Sequence, residues 1–535
     1  MKLSILEAGL KSRAAAAFAL EEGAMAGFHL AAPPPHISAD VSIAWPIAGA
    51  KLLKRPPLKI AEELKAVLGA EFDAQSVPPG FVNLKFGDAF LFEALRDLGK
   101  PDCFTLPEFK GEKINLEFVS ANPTGPMHLA SGRGATLGDS LARIFRALGA
   151  EVSTEFYVND AGKQVELLGQ SLKARFKKAE PPENGYQGAY LKDMGEALPG
   201  EASGWTDLQF SEHAVTEMLK LHRADMKAFG VNFDRWFLES ELHAAGAPAQ
   251  ALAVIKERGM AYEKDNAVWF GTASELESDD KDRVLVKADG RNTYFLNDIA
   301  YHLNKFSRGF TRLIDIWGPD HHGYVPRMEA AVGALAGSQG KFKVLIHQQV
   351  ALKRGEETVK MSKRAGDFIS LKELVDEVGA DACRFFFAAR GPHTHLTFDV
   401  DLAKKKSNDN PVYYVQYVHA RISSIFANAA AKGVDPAAGF DEARILINAE
   451  ERALMLKLLW LEKTLADCAR DFSPHHLTTY LTELSACFHS FYDKCKVLDP
   501  EHKETSAYRL FLLEHVRGII AKGLGLLGVS APERM

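Results

Sequence analysis

The sequence predicts an α/β protein built around a Rossmann-type, doubly wound parallel sheet, with a small α+β N-terminal domain before it and an all-α C-terminal helical bundle after it. Three observations carry this reading. From Lys113 to about Gly391, short apolar strands alternate with helical periodicities, the pattern of parallel βαβ units. Residues 1–110 mix helical and strand-like segments around a proline break at Pro33, Pro34 and Pro35. Beyond Asp399 the strand signals stop and long apolar-periodic stretches take over. A chain of 535 residues has room for about three or four domains, and the divisions expected are 1–110, 111–398 and 399–535.

In the first segment an amphipathic helix is expected around residues 14–20, a second helix near 58–68 and a strand at 81–86. In the second, 114–119 reads as a buried strand, 120–126 as a turn rich in Pro and Gly, and about 132–148 as a helix. Leu137, Leu141, Ile144, Phe145 and Leu148 fall at i, i+4, i+7, i+8 and i+11, so one helical face packs on the sheet. Residues 151–158, 314–317 and 344–350 read as further strands and 371–378 as a helix. The charged, irregular stretch of about 165–290 reads as an insertion. In the third segment, 411–426 and 453–466 carry helical periodicity.

Composition narrows the class. A hydrophobic share of 47% and a charged share of 25% are those of a soluble globular protein. A formal charge of −6 gives no general attraction to phosphate, so a nucleic acid would have to be held by local basic patches. Five cysteines without a C-x-x-C pair signal neither a disulfide framework nor a zinc cluster and fit a reducing compartment. Lys11 and Arg13 before an apolar stretch imitate a signal peptide until Glu21 and Glu22 interrupt it. No apolar run approaches the ~18 residues of a membrane span, and a cytoplasmic protein is expected.

The strand, turn and helix at 114–148 would aim a helix N-terminus at the carboxyl edge of the sheet, where free N–H groups and the positive dipole end favour phosphate. Gly132, Gly134 and Gly138 also form a loose G-x-G-x-x-x-G, which would suit a dinucleotide-dependent dehydrogenase or mere helix–strand packing. A second motif weighs against the dehydrogenase: Lys360-Met361-Ser362-Lys363, followed by Arg364, Ala365 and Gly366, concentrates positive charge on one loop. Such a loop can close over a triphosphate and stabilise charge on departing pyrophosphate, although basic loops are also common solvated surface.

Asn122-Pro-Thr-Gly-Pro-Met-His128 and, about 230 residues later, Lys360-Met-Ser-Lys-Arg-Ala-Gly366 resemble the paired signatures of class I aminoacyl-tRNA synthetases. Glu117-Phe-Val-Ser-Ala-Asn-Pro-Thr-Gly-Pro, Tyr157-Val-Asn-Asp160, Tyr294-Phe-Leu-Asn-Asp298, Asp320-His-His-Gly-Tyr324, Asn410-Pro-Val-Tyr-Tyr-Val-Gln-Tyr417 and Ala531-Pro-Glu-Arg-Met535 extend the resemblance to the arginyl-tRNA synthetases along the whole chain. The resemblance implies ATP-dependent activation of L-arginine to arginyl-adenylate and transfer to the 3′ end of an arginine-accepting tRNA, with Mg²⁺ accompanying ATP.

It also implies roles. Glu117, Asp298 and Tyr294 would line the arginine pocket, as a planar guanidinium with five donors requires, and Ser120 and Asn122 would hold the α-amino and carboxylate groups. His128, Gly132, Asp320, His322, Met361 and Ser362 would meet ATP, with His128, Ser131, Lys360 and Lys363 serving the chemistry. Tyr413, Tyr414 and Tyr417 would stack on unpaired tRNA bases and Lys404 to Lys406 would meet phosphate, although Tyr413 and Tyr417 share a helical face and would serve equally as core. The N-terminal domain would contact the tRNA body. No protein-bound metal is expected: Asp320-His321-His322 has ligand chemistry but lacks the further aspartate motifs of metallophosphoesterases. A monomer is expected.

One departure stands out. Where the family has a hydrophobic residue, glycine and a second histidine, this chain has Leu129, Ala130 and Ser131. The alternative it raises is a weakened or inactive tRNA-binding relative.

Overall fold

The computed structural model describes residues 2–34, 36–68, 72–271, 282–337, 340–359, 369–435 and 437–535. The lysine loop, with Lys360, Met361, Ser362 and Lys363, lies outside the described residues.

The N-terminal region opens with helix Leu3–Ala17, which turns Leu3, Leu6, Leu10 and Ala14 to one side and buries them. Strands β1 (Val41–Ile43), β2 (Asp73–Val77) and β3 (Phe81–Lys85) form an antiparallel sheet in the order β1-β3-β2. Helix Pro57–Leu68 covers it with Ile60, Ala61, Leu64 and Leu68. Both apolar and polar groups of this region meet the C-terminal region, Phe92 packing on Phe440 and Tyr508. Arg452 donates to Asp40 Oδ1 at 3.1 Å, to Asp88 Oδ1 at 3.0 Å and to the Phe86 carbonyl at 2.6 Å. The Ser4 N–H donates to Glu462 Oε2 at 3.1 Å, and Lys463 to Glu7 Oε2 at 2.8 Å.

The central sheet contains β4 (Lys113–Phe118), β5 (Glu151–Val158) and β6 (Arg235–Leu238). After an antiparallel meander of β7 (Ala261–Lys264), β8 (Ala267–Phe270) and β9 (Arg283–Val286) come β10 (Arg312–Trp317) and β11 (Phe342–Ile346). The order is β11-β10-β4-β5-β6 and every pairing is parallel. All of β4 after Lys113 is buried, as a parallel strand covered on both faces requires. The chain moves from β4 outward through β5 and β6, then returns to the other side of β4 as β10. The β4/β10 boundary is therefore the switch point, where a crevice opens beyond the carboxyl ends of the strands.

Four expectations are corrected in detail. The helix after the turn is Leu129–Ala147 and begins three residues earlier than the periodicity suggested, because His128 caps it. Residues 344–350 are not one strand: β11 ends at Ile346, and β12 (Val350–Arg354) pairs with β13 (Glu357–Val359) and β14 (Leu396–Asp399) in a separate sheet. Between the two strands the Gln348 carbonyl accepts from the Arg133 guanidinium at 2.9 Å and not from a neighbouring strand. The stretch read as an insertion contributes β6 to the central sheet. The periodicity of 453–466 spans two helices, Ala449–Leu459 and Leu461–Arg470, divided at Trp460.

The C-terminal region is helical: Pro411–Ala429, the two helices just named, His475–Lys494 and Lys503–Leu526. Pro411 opens the first of them behind Asn410, whose Oδ1 accepts from the Val412 N–H at 3.2 Å. The last segment of chain joins two regions. Arg384 Nε donates to the Leu527 carbonyl at 2.8 Å, Gln416 to the Ser530 carbonyl at 2.9 Å, and His419 Nδ1 to the Pro532 carbonyl at 2.8 Å.

Candidate active site

The turn after β4 is strained and heavily tied. Val119 and Ser120 have φ of +69° and +40°, a left-handed conformation costly for a β-branched residue. The Ser120 hydroxyl donates to Glu117 Oε1 at 2.8 Å and accepts from the Tyr157 N–H at 3.0 Å, linking β4, the turn and β5. Asn122 is exposed and its amide donates to Gln164 Oε1 at 2.9 Å. Two side chains from between β5 and β6 hold the turn's carbonyls: Tyr190 donates to Thr124 at 2.5 Å and the buried His222 Nε2 to Gly125 at 2.8 Å.

At the helix start, His128 Nδ1 accepts from the Ala130 N–H at 3.1 Å, which fixes the ring and places its proton on Nε2. Ser131 is half-buried in the first turn, and its N–H returns to the His128 carbonyl at 2.8 Å. A Cβ on Gly132 would come within 2.5 Å of Leu371 and 2.9 Å of Phe387, and one on Gly138 would overlap the Phe118 ring. Packing therefore accounts for these two glycines, and the dinucleotide fingerprint has no support here. The end of this turn meets the segment at Ser370 and Leu371. His128 bridges to Ser370, and the Leu371 N–H donates to the Met127 carbonyl at 2.8 Å.

Beneath the turn lies an acidic basin spanning the switch point. Glu117 on β4 and Asp315 on β10 are direct parallel partners in register. Lys305, fully buried on helix Tyr294–Ser307, donates to Glu117 Oε2 at 2.6 Å and to Asp315 Oδ1 at 2.8 Å. Burial works against this ammonium, but Asp315, Glu117 and Glu155 outweigh it and hold its pKa at about 12. His302 donates to the Asp298 carbonyl at 2.6 Å from Nδ1 and faces Asp315 Oδ2 at 2.7 Å through Nε2. Burial raises the Glu117 carboxyl above its ordinary range.

Two further carboxylates face the same space. Burial pushes Asp298 up to about 6 against the hydrogen bond it accepts from Tyr324. Asp298 sits in the second turn of its helix, which Thr293 caps, so it is not a capping residue. Glu239, at the carboxyl end of β6, is also raised by burial. It stands 3.5 Å from His243 Nε2, and the Asn159 amide, in the orientation its neighbours require, donates to it at 3.0 Å. Burial together with Glu239, Asp298, Glu117 and Asp160 drives the Tyr157 hydroxyl far above its ordinary pKa. A basin of this kind accepts a cation with several donors.

Other expected residues are more dispersed. Tyr294 is 77% exposed at the helix start and does not share the buried setting of Asp298. Asp320 and His322 are exposed on the turn Pro319–Tyr324 beyond β10, at the same sheet edge. Tyr413 stacks on Tyr417 at 6.4 Å, and His489 stacks on Tyr414 at 4.9 Å and on Tyr417 at 6.1 Å, all half-buried. Lys404 is paired with Glu377 and Lys405 with Asp409.

Sequence reasoning missed Glu239, Lys305, His302, Asp315, Tyr190 and His222. A signal existed for Lys305, which occupies a core position on the apolar face of Phe295, Leu296, Ile299 and Tyr301. Glu239 directly follows a short apolar strand, as a site residue at a sheet's carboxyl edge would.

Residues 106–387 match the family of tRNA synthetases class I (R), catalytic domain, and residues 415–535 match the DALR anticodon binding domain. The parallel sheet and its switch point, with the strand, turn and helix of 113–147 beside it, are thus those of a class I tRNA synthetase. An arginine–tRNA ligase of Elusimicrobium minutum is 54% identical over 94% of each chain, and one of Thermotoga maritima is 43% identical over 95% of this chain and 96% of that one. The fold is that of the Thermus thermophilus arginyl-tRNA synthetase structure, with a TM-score of 0.80 at 23% identity over 99% of this chain and all of that one. The chain belongs to the arginine–tRNA ligase family.

Proposed function

We propose that the chain activates L-arginine with ATP and transfers it to an arginine-accepting tRNA, and that the switch-point basin is the arginine pocket. The observation that carries the pocket assignment is the convergence of Asp298, Glu239 and Glu117 around Tyr157, directly below a nucleotide turn. The guanidinium pairs with Asp298 and Glu239, its planar donors matching carboxylate geometry. Tyr294, one turn before Asp298, closes over the guanidinium plane, and Glu117 completes the acidic wall. Ser120 and Asn122 orient the α-amino and carboxylate groups.

The arginine carboxylate then attacks the α-phosphate, and pyrophosphate leaves. His128 presents its Nε2 proton to the phosphates, and the positive dipole end of the helix that begins at Leu129, with Ser131 and Gly132 in its first turn, adds to the attraction. Lys360 and Lys363 stabilise the leaving pyrophosphate, Met361 and Ser362 complete that loop, and Asp320 and His322 meet the nucleoside side. Among the described residues no group of three or more His, Cys, Asp or Glu is placed to hold a metal ion. Mg²⁺ is proposed to arrive with the triphosphate oxygens. The tRNA 3′ hydroxyl accepts the arginyl group, while Tyr413, Tyr414 and Tyr417, joined by His489, stack on unpaired bases of the tRNA.

Among the described residues no helix is long and apolar enough to cross a membrane, and the enzyme is proposed to act as a cytoplasmic monomer. Charging of arginine-accepting tRNA with labelled arginine tests the function. Charged product is expected, and ATP–pyrophosphate exchange is expected to need the tRNA. Absence of charging with arginine would refute the proposal.

A further inference from the structure

Glu117 and Asp315 face each other at the same register of adjacent parallel strands, with carboxylates 7% and 1% exposed. Two like charges so placed repel, and neither is solvated. Lys305 reaches both from the last turn of helix Tyr294–Ser307, its ammonium also lying 4.5 Å from the centroid of the Tyr301 ring. Each carboxylate has one oxygen on Lys305 and the other on a different partner. For Asp315 that partner is His302, a residue of the same helix. For Glu117 it is Ser120, whose hydroxyl also accepts the Tyr157 N–H.

The connection therefore runs from a buried ammonium through one carboxylate to the strained turn. Ser120 has φ of +40° beside Val119 at +69°, and such a conformation persists only where its surroundings hold it. With its proton committed to Glu117 and its lone pair to Tyr157, Ser120 is held on both sides. Asn122 lies two residues further along the same turn.

We infer that Lys305 is a positioning residue for arginine: by clamping Glu117 against Asp315 it fixes the 119–122 turn and so sets the amino-acid subsite without touching the substrate. This rests on the proposal that Ser120 and Asn122 hold arginine. Without the ammonium, Glu117 and Asp315 share a proton, Glu117 turns from its place, and the turn relaxes. The groups around the vacated position are Glu117 on β4, Glu155 on β5, Asp315 on β10, Tyr301 and His302 on the helix itself, and Arg308 just beyond it, which already pairs with Glu155. Carboxylates outnumber cations there, so protonation near neutral pH follows, and arginine affinity gains a pH-dependence at higher pH than the acid limb of the wild type.

The test is ATP–pyrophosphate exchange with tRNA present for the full chain, comparing wild type, Lys305→Met, Lys305→Met with Asp315→Asn, and Asn122→Ala. The double variant removes one stranded carboxylate and serves if Lys305→Met does not fold. The expected result is a rise of about tenfold or more in KM for arginine, with KM for ATP within about twofold. In the Lys305 variants KM for arginine should also climb as pH falls from 8 to 6.5, a dependence that lost packing alone would not produce. If Asn122→Ala raises KM for arginine but the folded Lys305 variant leaves it within about twofold of wild type, the positioning role is overturned. An unchanged KM in Asn122→Ala would overturn the reading of the turn on which it rests.

Discussion

The Tyr324 hydroxyl donates to Asp298 Oδ2 at 2.7 Å, tying the turn beyond β10 to the helix that walls the acidic basin. Burial holds the Asp298 carboxyl near 6, and the Tyr324 hydrogen bond is what opposes a larger rise. A cation binds the ionised form, so kcat/KM for arginine should fall as pH drops through about 6, approaching tenfold per unit below it. Tyr324→Phe should move this acid limb to higher pH. A profile flat between pH 5.5 and 8 would count against Asp298 as the guanidinium partner.

Asp298→Asn should separate stability from function. Its carboxyl sits at about 6 in the folded chain against an ordinary 3.8. The native state thus holds the proton more tightly than the unfolded state does. Stability falls as pH rises from about 4 to about 6, and the penalty is complete above that. Removing the charge should stabilise the free protein at pH 8 by about 1–3 kcal/mol, with the gain fading towards pH 4. Urea unfolding at the two pH values measures this, and isothermal titration should show arginine binding lost.

Ser131→His addresses the altered signature. Ser131 is half-buried in the helix's first turn beside capped His128, where an imidazole could donate to phosphate as a hydroxyl does only weakly. Exchange with tRNA present should quicken about threefold to tenfold. An unchanged or slower variant would show that this chain works as well with serine.

Gly138→Ala should be costly for a reason confined to packing. A methyl there overlaps the Phe118 ring, which is itself fully buried between helix and sheet. Overpacking of this kind costs about 1–3 kcal/mol, visible as a lower urea midpoint with little change in slope. Because Phe118 directly precedes the strained turn, KM for arginine should rise as well. A variant as stable as wild type would mean that the helix moves off the sheet without penalty.

How far the sequence discloses the site depends on how local each feature is. The strand, turn and helix of 113–147 are legible because periodicity and turn chemistry are written in consecutive residues. Only the helix start was misplaced, since His128 caps with a ring nitrogen and does not belong to the usual capping set. Asp298 was singled out through a motif, and its buried setting follows from a helix whose apolar face is plain in sequence. Lys305 was passed over because its partners come from β4 and β10, and a lysine's meaning in a core is given only by what surrounds it. Glu239 was hidden for a topological reason: β6 lies within charged, irregular sequence yet completes the sheet. The lysine loop, the most recognisable motif, lies outside the described residues and gains nothing from the structure.

The bonds between the first and last regions bear on how the chain is made. Ser4 and Glu7 find Glu462 and Lys463 only 458 and 456 positions later in sequence. Domains fold as units during synthesis at about 5–20 residues per second, so these partners emerge from the ribosome roughly half a minute to a minute and a half afterwards. Through that interval the waiting face displays Ser4, Glu7, Asp40 and Asp88, all of which water can satisfy. The same surface carries Phe92, which packs on Phe440 and Tyr508 once they arrive, so the carboxylates and the hydroxyl around it are what keep a waiting apolar patch in water.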